Sequence, residues 1–450
     1  MNQKPKATRR VLIITYHFPP SSAVAVFRML GFARHLPRFG WRVGVVTPGR
    51  VPGEPLDESL LECVPKETEV FTVPYPDSVA ERTARRWLYH AVWLPRAVPA
   101  LIRAVHKFRP DAVLTSGPPH CVHFLGWFLK RFYHLPWAAC FRDPWFTNWR
   151  PSKKTLFSWG TWEEYWEKRL FPTADCIIAN TPRTCDGLCE AFPELSHKIK
   201  FVTNGFDPEC FPPLGQKAAA NERFTILHAG ELYMGRDPRP FFDALARLEK
   251  TRAASEPPMR VVLLGQATEN RFDLNTAVAE RGLEKVVEVG GQVSYRQALA
   301  TMPKADLLLL VDTPGRTVSI PAKLFEYFGA GRPVLALTEP DGDVVWALQT
   351  SGVPHRIVPP QDSAQIQQAL IELRDGIRQG ILTAPPPEQL ANFTRAKLAH
   401  DLAGHLNTLV PIKQMVGVNG DLASMPALAN HASQRIPAAP PARRPHYARA

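Results

Sequence analysis

Short apolar runs recur along the chain, spaced so that a helix fits between each pair. In the first half they are Val11 to Thr15, Trp41 to Thr47, Asp111 to Ser116, Trp137 to Phe141, Asp175 to Asn180 and Lys200 to Thr203. In the second half they are Phe224 to His228, Arg260 to Leu264, Val286 to Val289, Asp306 to Val311, Val334 to Leu337 and Arg356 to Val358. Apolar runs of strand length that alternate with helical periodicity predict βαβ units and parallel sheets covered on both faces. Val26, Leu30, Ala33 and Leu36 supply the first such helix, and Gly40 ends it. The alternation restarts after a Pro/Gly/Ala-rich stretch from Pro212 to Ala220, which reads as a hinge. Two doubly wound α/β domains follow, over residues 1–212 and 222–395. Residues 396–412 carry a last helical pattern that can pack back on the first domain, and 413–450 form an Ala/Pro-rich basic tail predicted to be disordered.

The chain has 450 residues, more than one core usually supports, in agreement with two domains. A content of 45% hydrophobic and 21% charged residues is that of a globular protein. The formal charge of +12 asks for an anionic partner: nucleic acid, an anionic membrane or a phosphorylated small molecule. No recognition motif or aromatic-basic platform supports nucleic acid. The seven cysteines form no CxxC pair and no disulfide framework, and neither Cys185/Cys189 nor His120/Cys121/His123 has a second ligand pair at zinc spacing. No metal and no cofactor is expected. No segment fits a signal peptide or a membrane span, so a cytoplasmic location is expected. The segment from Arg82 to Arg109 holds seven basic residues and no acidic one beside an apolar stripe. Pro95 and Pro99 are expected to split it into two helical pieces. With the patch Trp127 to Tyr133 it could lie on the inner, anionic membrane surface; a solvated basic helix is the competing reading.

Chemistry concentrates in TVSIPAKLFEYFGAGRPVLAL, from Thr317 to Leu337. Pro321 suits a helix's first turn, Leu324, Tyr327 and Phe328 share one face, and Gly329 and Gly331 are expected to stop the helix. Lys323 beside a helix N-terminus makes a diphosphate site, and Glu326 one turn on can accept hydrogen bonds from sugar hydroxyls. A solvated Lys and Glu on an ordinary helix is the alternative. Ligands of parallel sheets gather at the carboxyl ends of strands. That places Ser21 and Ser22, then His120, then Asp143 at the first domain's mouth as acceptor candidates, with Asp143 as a plain helix cap or Arg142 partner in the competing reading. In the second domain, HAGELYMGR puts Gly230 and Arg236 where Arg236 and Lys323 can converge on one diphosphate.

Taken together, VLIITYHFPPSSAVAVFRMLGFARHLPRFGWRVGVVTP, ADCIIANT with HKIKFVTNGFDPECF, and GELYMGR with IPAKLFEYFGAGRPVLAL resemble glycosyltransferase family 4, the retaining group-1 enzymes of the GT-B fold. The resemblance runs from about Val11 to Leu409 and implies two Rossmann-like domains facing across a cleft. It implies sugar transfer, with retention, from a nucleotide-sugar donor to a glycan or lipid-linked acceptor in cell-surface polysaccharide synthesis. Arg236 and Lys323 would bind the diphosphate and serve catalysis, Glu326 the ribose, and Gly265 and Gln266 would lie near the base. Two departures stand out: the first of the family's paired glutamates falls on Val318, and the basic residue after the glycine of HAG is Glu231. A non-hydrolysing sugar-nucleotide epimerase and an inactive binding protein remain as alternatives.

Overall fold

The computed structural model describes residues 9–410 except 52–53, 75–85, 144, 146–158, 214–221, 234, 254–257 and 268–272. The first lobe holds a seven-stranded sheet in the order β3-β2-β1-β4-β5-β6-β7. Its strands are β1 Arg9–Thr15, β2 Trp41–Thr47, β3 Glu69–Thr72, β4 Ala112–Gly117, β5 Trp137–Phe141, β6 Cys176–Ala179 and β7 Ile199–Phe201. The second lobe holds a six-stranded sheet, β10-β9-β8-β11-β12-β13. Here the strands are β8 Thr225–Ala229, β9 Arg260–Leu264, β10 Val287–Gly291, β11 Leu307–Val311, β12 Val334–Leu337 and β13 His355–Val358. Every pairing between these strands is parallel. Sequence periodicity missed β3, a four-residue edge strand with only Phe71 buried, which carries too short an apolar run to register.

The two faces of each sheet are packed by different sets of helices, which explains the continuous apolar runs. Leu12 and Ile14 face one cluster with Trp93 and Leu101, while Val11 and Ile13 face another with Met29 and Leu402. The helix Arg395–Leu409 lies against Val26–His35 of the first lobe and buries Leu398, Leu402 and Leu406 there. The lobes are therefore linked twice, once through the hinge region and once through this returning helix.

Two expectations change. The segment ahead of β4 is one helix, Arg86–Phe108, with both prolines inside it. Pro95 and Pro99 are both exposed, so the helix turns its proline-bearing face to water. The helix Ala322–Ala330 runs through Gly329 and ends only at Gly331, whose φ of +64° is the left-handed C-cap. Gly329 instead allows close packing, since a methyl there would sit 2.5 Å from the Phe211 ring. Arg82 and Arg85, most of the hinge and the tail lie outside the described residues. No described helix is long and apolar enough to cross a membrane.

Candidate active site

The carboxyl ends of both sheets open on a cavity of about 210 Å³ between the lobes. Its second-lobe wall starts at Pro321, ahead of a helix whose first turn offers free backbone N–H groups, and includes Arg236 and Glu326. Lys323 sits immediately behind. Its Nζ lies 3.2 Å from His228 Nε2. His228 Nδ1 lies 2.9 Å from the Leu309 carbonyl, and Nε2 lies 3.1 Å from the Gly230 carbonyl as well as beside the lysine. Burial, then the Lys323 charge, holds the His228 pKa well below its usual value and keeps it neutral. Burial, then the Arg236 charge, pulls Lys323 from 10.5 to about 7. An arriving diphosphate would reverse the second effect.

Gly230 makes room for this lysine. A methyl there would lie 2.6 Å from Nζ, and its φ of +126° is one that side chains rarely adopt. Gly265 stands behind Gly230, where a methyl would meet the Gly230 carbonyl at 2.5 Å, and the Gln266 carbonyl accepts from Leu232 N at 2.9 Å. Both shape the loop without lining the cavity. Arg236 is 3% exposed, lies over the Tyr233 ring at 4.3 Å, and reaches Asp312 at 4.0 Å. Burial raises the pKa of Asp312, with Arg316 and then the Thr313 N–H opposing it. Glu326 is buried, and that burial raises its pKa against the pull of Arg395 and of the nearby Tyr295 hydroxyl. The structure thus gathers Gly230, Arg236, Lys323 and Glu326 in one corner.

The first-lobe wall differs from the sequence expectation. Asp143 lines the cavity, but Ser21 and Ser22 do not. Their loop is tied to residues 55–57 instead, through Ser22 N to the Pro55 carbonyl and the Ser21–Leu56 bridge, and presents Val24 and Ala25 to the cavity. His120 also stands back from the wall, stacked on Trp145 at 5.2 Å and Phe141 at 5.8 Å. In their place are Arg28, Arg142, Asn180 and Asn204. Sequence reasoning weighed Arg142 only as a partner of Asp143 and gave Arg28, Asn180 and Asn204 no role, because each is a single residue on a helix face or at a strand end. One signal was present: Arg28 sits among the apolar residues on the inward face of its helix, where it donates to the Val202 carbonyl at 2.6 Å.

Two further clusters join the lobes. Asp341 pairs with the Arg183 guanidinium, and Asp343 accepts from Arg183 N at 3.0 Å at the start of helix Pro182–Ala191. This Asp-x-Asp pair therefore caps a helix of the other lobe and does not face the phosphate corner. Asp207, 2% exposed, binds Arg34 at 2.8 Å, Arg395 at 2.9 Å and His35 at 2.7 Å. His35, Asp207 and Glu209 have metal-ligand types within reach of one another, yet two guanidiniums already occupy Asp207.

Solved structures with this fold include a sucrose-phosphate synthase from Thermosynechococcus elongatus, 17% identical at a TM-score of 0.63 over 89% of this chain and 99% of that one. A glycosyltransferase from Rickettsia africae is 11% identical at 0.65 over 90% and 100%. Anabaena HepE, solved in complex with UDP, is 17% identical at 0.59 over 89% and 100%. In sequence, a D-inositol 3-phosphate glycosyltransferase from Gordonia bronchialis is 25% identical over 179 residues, and the match spans only 38% of this chain and 39% of that relative. The Glycosyltransferase Family 4 model matches residues 25–210, and the Glycosyl transferases group 1 model matches residues 223–375. With one model on each lobe and both lobes in the GT-B arrangement, the chain belongs to the family 4, group 1 glycosyltransferases.

Proposed function

We propose that this chain transfers a sugar from a nucleoside diphosphate donor to a glycan or lipid-linked acceptor, with retention at the anomeric carbon, in cell-surface polysaccharide synthesis. The observation that carries this reading is the convergence of Arg236, Lys323 and a helix N-terminus on one side of the cleft. Charge grows on the leaving diphosphate as the glycosidic bond breaks, and fixed cations in a dry site stabilise that charge more than they do the ground state. Lys323, Arg236 and the Pro321 end of the helix supply it, so chelator should leave turnover unchanged. Glu326 accepts from the ribose. Val318 stands where the family's first glutamate is expected, so no carboxylate from that position reaches the sugar.

Anabaena HepE has also been solved with UDP-glucose, so uridine nucleotides lead the donor panel. Thermal shift against nucleoside diphosphates, followed by incubation with labelled nucleotide sugars, tests the reading. Transfer of label with the anomeric configuration kept is the expected result. Interconversion of the donor would point to an epimerase, and binding without turnover to a binding protein.

The acceptor is proposed to be presented at the inner, anionic membrane surface. From Trp93 on, the apolar stripe of helix Arg86–Phe108 is spent on the core, with Trp93, Leu101 and Phe108 buried. What remains for a membrane is the exposed pair Trp127 and Phe132 beside Arg131, with Arg103 and Lys107 also exposed on the neighbouring helix. Each basic residue near such a surface contributes about 1 kcal/mol. Binding to vesicles rich in anionic lipid should be salt-sensitive and fall several-fold in a Trp127→Ser, Phe132→Ser, Arg131→Ala variant. Equal indifference to neutral and anionic vesicles would leave a soluble acceptor.

A further inference from the structure

The cation that acts most strongly on Glu326 comes from outside the donor corner. Burial pushes the Glu326 carboxyl toward its neutral form, and of the groups that oppose it Arg395 pulls hardest, then the Tyr295 hydroxyl, with Lys323 of Glu326's own helix last. Arg395 opens the returning helix Arg395–Leu409 and lines the same cavity as Glu326. Its place is built from several sides. Nη1 donates to Asp207 at 2.9 Å, Nη2 reaches the Tyr295 hydroxyl at 3.4 Å, and the backbone N donates to the Phe206 carbonyl at 2.8 Å. Gly31 of the first lobe leaves room for the stem, since a methyl there would lie 2.8 Å from Arg395 Cδ.

Fastening the returning helix to the first lobe accounts for the Asp207 contact alone. Asp207 is also held by Arg34 at 2.8 Å and His35 at 2.7 Å, so it does not use up the Arg395 charge. Burial acts to lower the Arg395 pKa, but Tyr295, Asp207 and Glu326 outweigh burial and keep the guanidinium charged. Tyr295 is itself pinned, its ring stacked on Phe27 at 3.9 Å. The acid of a ribose site accepts strongly only when ionised, because a protonated carboxyl loses both its charge and part of its acceptor capacity. Lys323 guards that charge poorly, since its own pKa of about 7 leaves much of it neutral in the same pH range. A guanidinium stays charged throughout.

Resting on the donor reading above, we infer that Arg395 and Tyr295 are positioning residues for the donor: the returning helix reaches into the cavity and holds the Glu326 carboxylate as an anion facing the ribose. The donor corner is then complete only when helix Arg395–Leu409 is docked on the first lobe.

The test reads the ratio of UDP affinity to 2′-deoxy-UDP affinity, by calorimetry on the full chain from about pH 6 to about pH 9. Lys323 acts on both nucleotides alike, so the ratio isolates the ribose contact. Wild type should prefer UDP, and in Arg395→Met that preference should fall at least about threefold near pH 6 and recover toward pH 9 as Glu326 gives up its proton. Arg395→Lys, which keeps the cation, should restore it at the acid end. A preference of wild-type strength at every pH in Arg395→Met, with only the urea midpoint lowered, would show a purely structural tie and overturn the inference. Should Arg395→Met not fold, Tyr295→Phe keeps the ring stack and must show the same acid-side loss; its indifference is equally fatal. A second measurement needs no nucleotide: the Glu326 δ-carbon, assigned by its absence in Glu326→Gln, is titrated by carbon-13 NMR. It should titrate at higher pH in Arg395→Met and Tyr295→Phe than in wild type. If that shift is present but wild type shows no ribose preference, the donor reading of Glu326 fails and the hold of Arg395 on it stands. A δ-carbon that titrates alike in all three proteins ends the inference, whatever the nucleotides do.

Discussion

The two walls of the cleft stand on the same kind of parallel sheet, yet their polar groups are assembled differently. On the second-lobe wall Lys323 rests on His228, Arg236 lies near Asp312 and Glu326 lies near Tyr295 and Arg395, while Arg236 Nε and Ser319 Oγ keep no hydrogen-bond partner. On the first-lobe wall, Arg28, Arg142 and Asn180, drawn from separate segments, each keep a buried atom without a partner. A wall whose charges are set in advance spends little free energy on reorganisation, which suits a leaving group common to many donors. A wall with open valences gains most from one particular occupant and rejects those that cannot fill it. On the function proposed above, donor binding falls to the second-lobe wall and acceptor choice to the first-lobe wall.

What holds the walls at a fixed distance gives the largest expected effect. Asp207 joins helix Val26–His35, the connector after β7 and helix Arg395–Leu409 through Arg34, His35 and Arg395. Burial pushes its carboxyl up, but the His35 hydrogen bond and the Arg395 and Arg34 guanidiniums overrule burial and hold it well below the usual range. Removing one member of a buried ionic cluster costs about 3–5 kcal/mol. Asp207→Ala should therefore lower the urea midpoint and expose helix Arg395–Leu409 to hydrogen exchange. A folded-state pKa below the unfolded one means that the stability is present at neutral pH and lost as pH falls below about 4. A loss under about 1 kcal/mol would show that the lobes are held elsewhere, and the fixed spacing between the walls would need another cause.

The donor wall is the next to probe. Lys323→Ala and Arg236→Ala each delete a charge-assisted contact worth about 1.5–3 kcal/mol, or roughly 10- to 150-fold in affinity for a nucleoside diphosphate. Calorimetry on the two variants checks this, and normal affinity in both would remove the phosphate assignment. Lys323 adds a pH signature. Its pKa of about 7 means that it binds diphosphate as a cation only after taking up a proton when the solution is more basic. Affinity should fall as pH rises above 7, and Lys323→Arg should flatten that slope.

The unequal legibility of the two walls follows from how each is assembled. Pro321, Lys323 and Glu326 fall within six residues on one helix, so helical periodicity and end chemistry displayed that corner in the sequence. The alternating apolar runs likewise displayed twelve of the thirteen strands, and only edge strand β3 was too short and too exposed. The first-lobe wall draws Arg28, Arg142, Asn180 and Asn204 from four separate segments. Nothing local distinguishes Asn180 after β6 from any residue that ends a strand. Ser21 and Ser22 had the right position in the order of strands, but the contacts of their loop with residues 55–57 turn them away from the cavity. Those contacts are long-range and leave no periodic trace.

The smallest expected effect is the most delicate for the comparison, because Glu326 belongs to both the donor corner and the bridge between the lobes. Its carboxylate lies close to Tyr295, whose ring stacks on Phe27 of the first lobe at 3.9 Å and whose hydroxyl receives Arg395 at 3.4 Å. A ribose hydroxyl arriving at Glu326 therefore meets an acceptor already oriented by both lobes. Glu326→Gln keeps the shape and one acceptor oxygen while losing the ionic part of the bond, a difference of about 1 kcal/mol. Nucleotide affinity should drop about fivefold, less than in either cation variant, and the fold should survive because Arg395 retains Asp207. Comparing a nucleoside diphosphate with its 2′-deoxy analogue sharpens the assignment: wild type should prefer the ribose form, and Glu326→Gln should lose most of that preference. If the variant instead unfolds while the remaining folded protein binds nucleotide normally, Glu326 serves the bridge between the lobes and not the donor, and the prearranged wall is narrower by one residue.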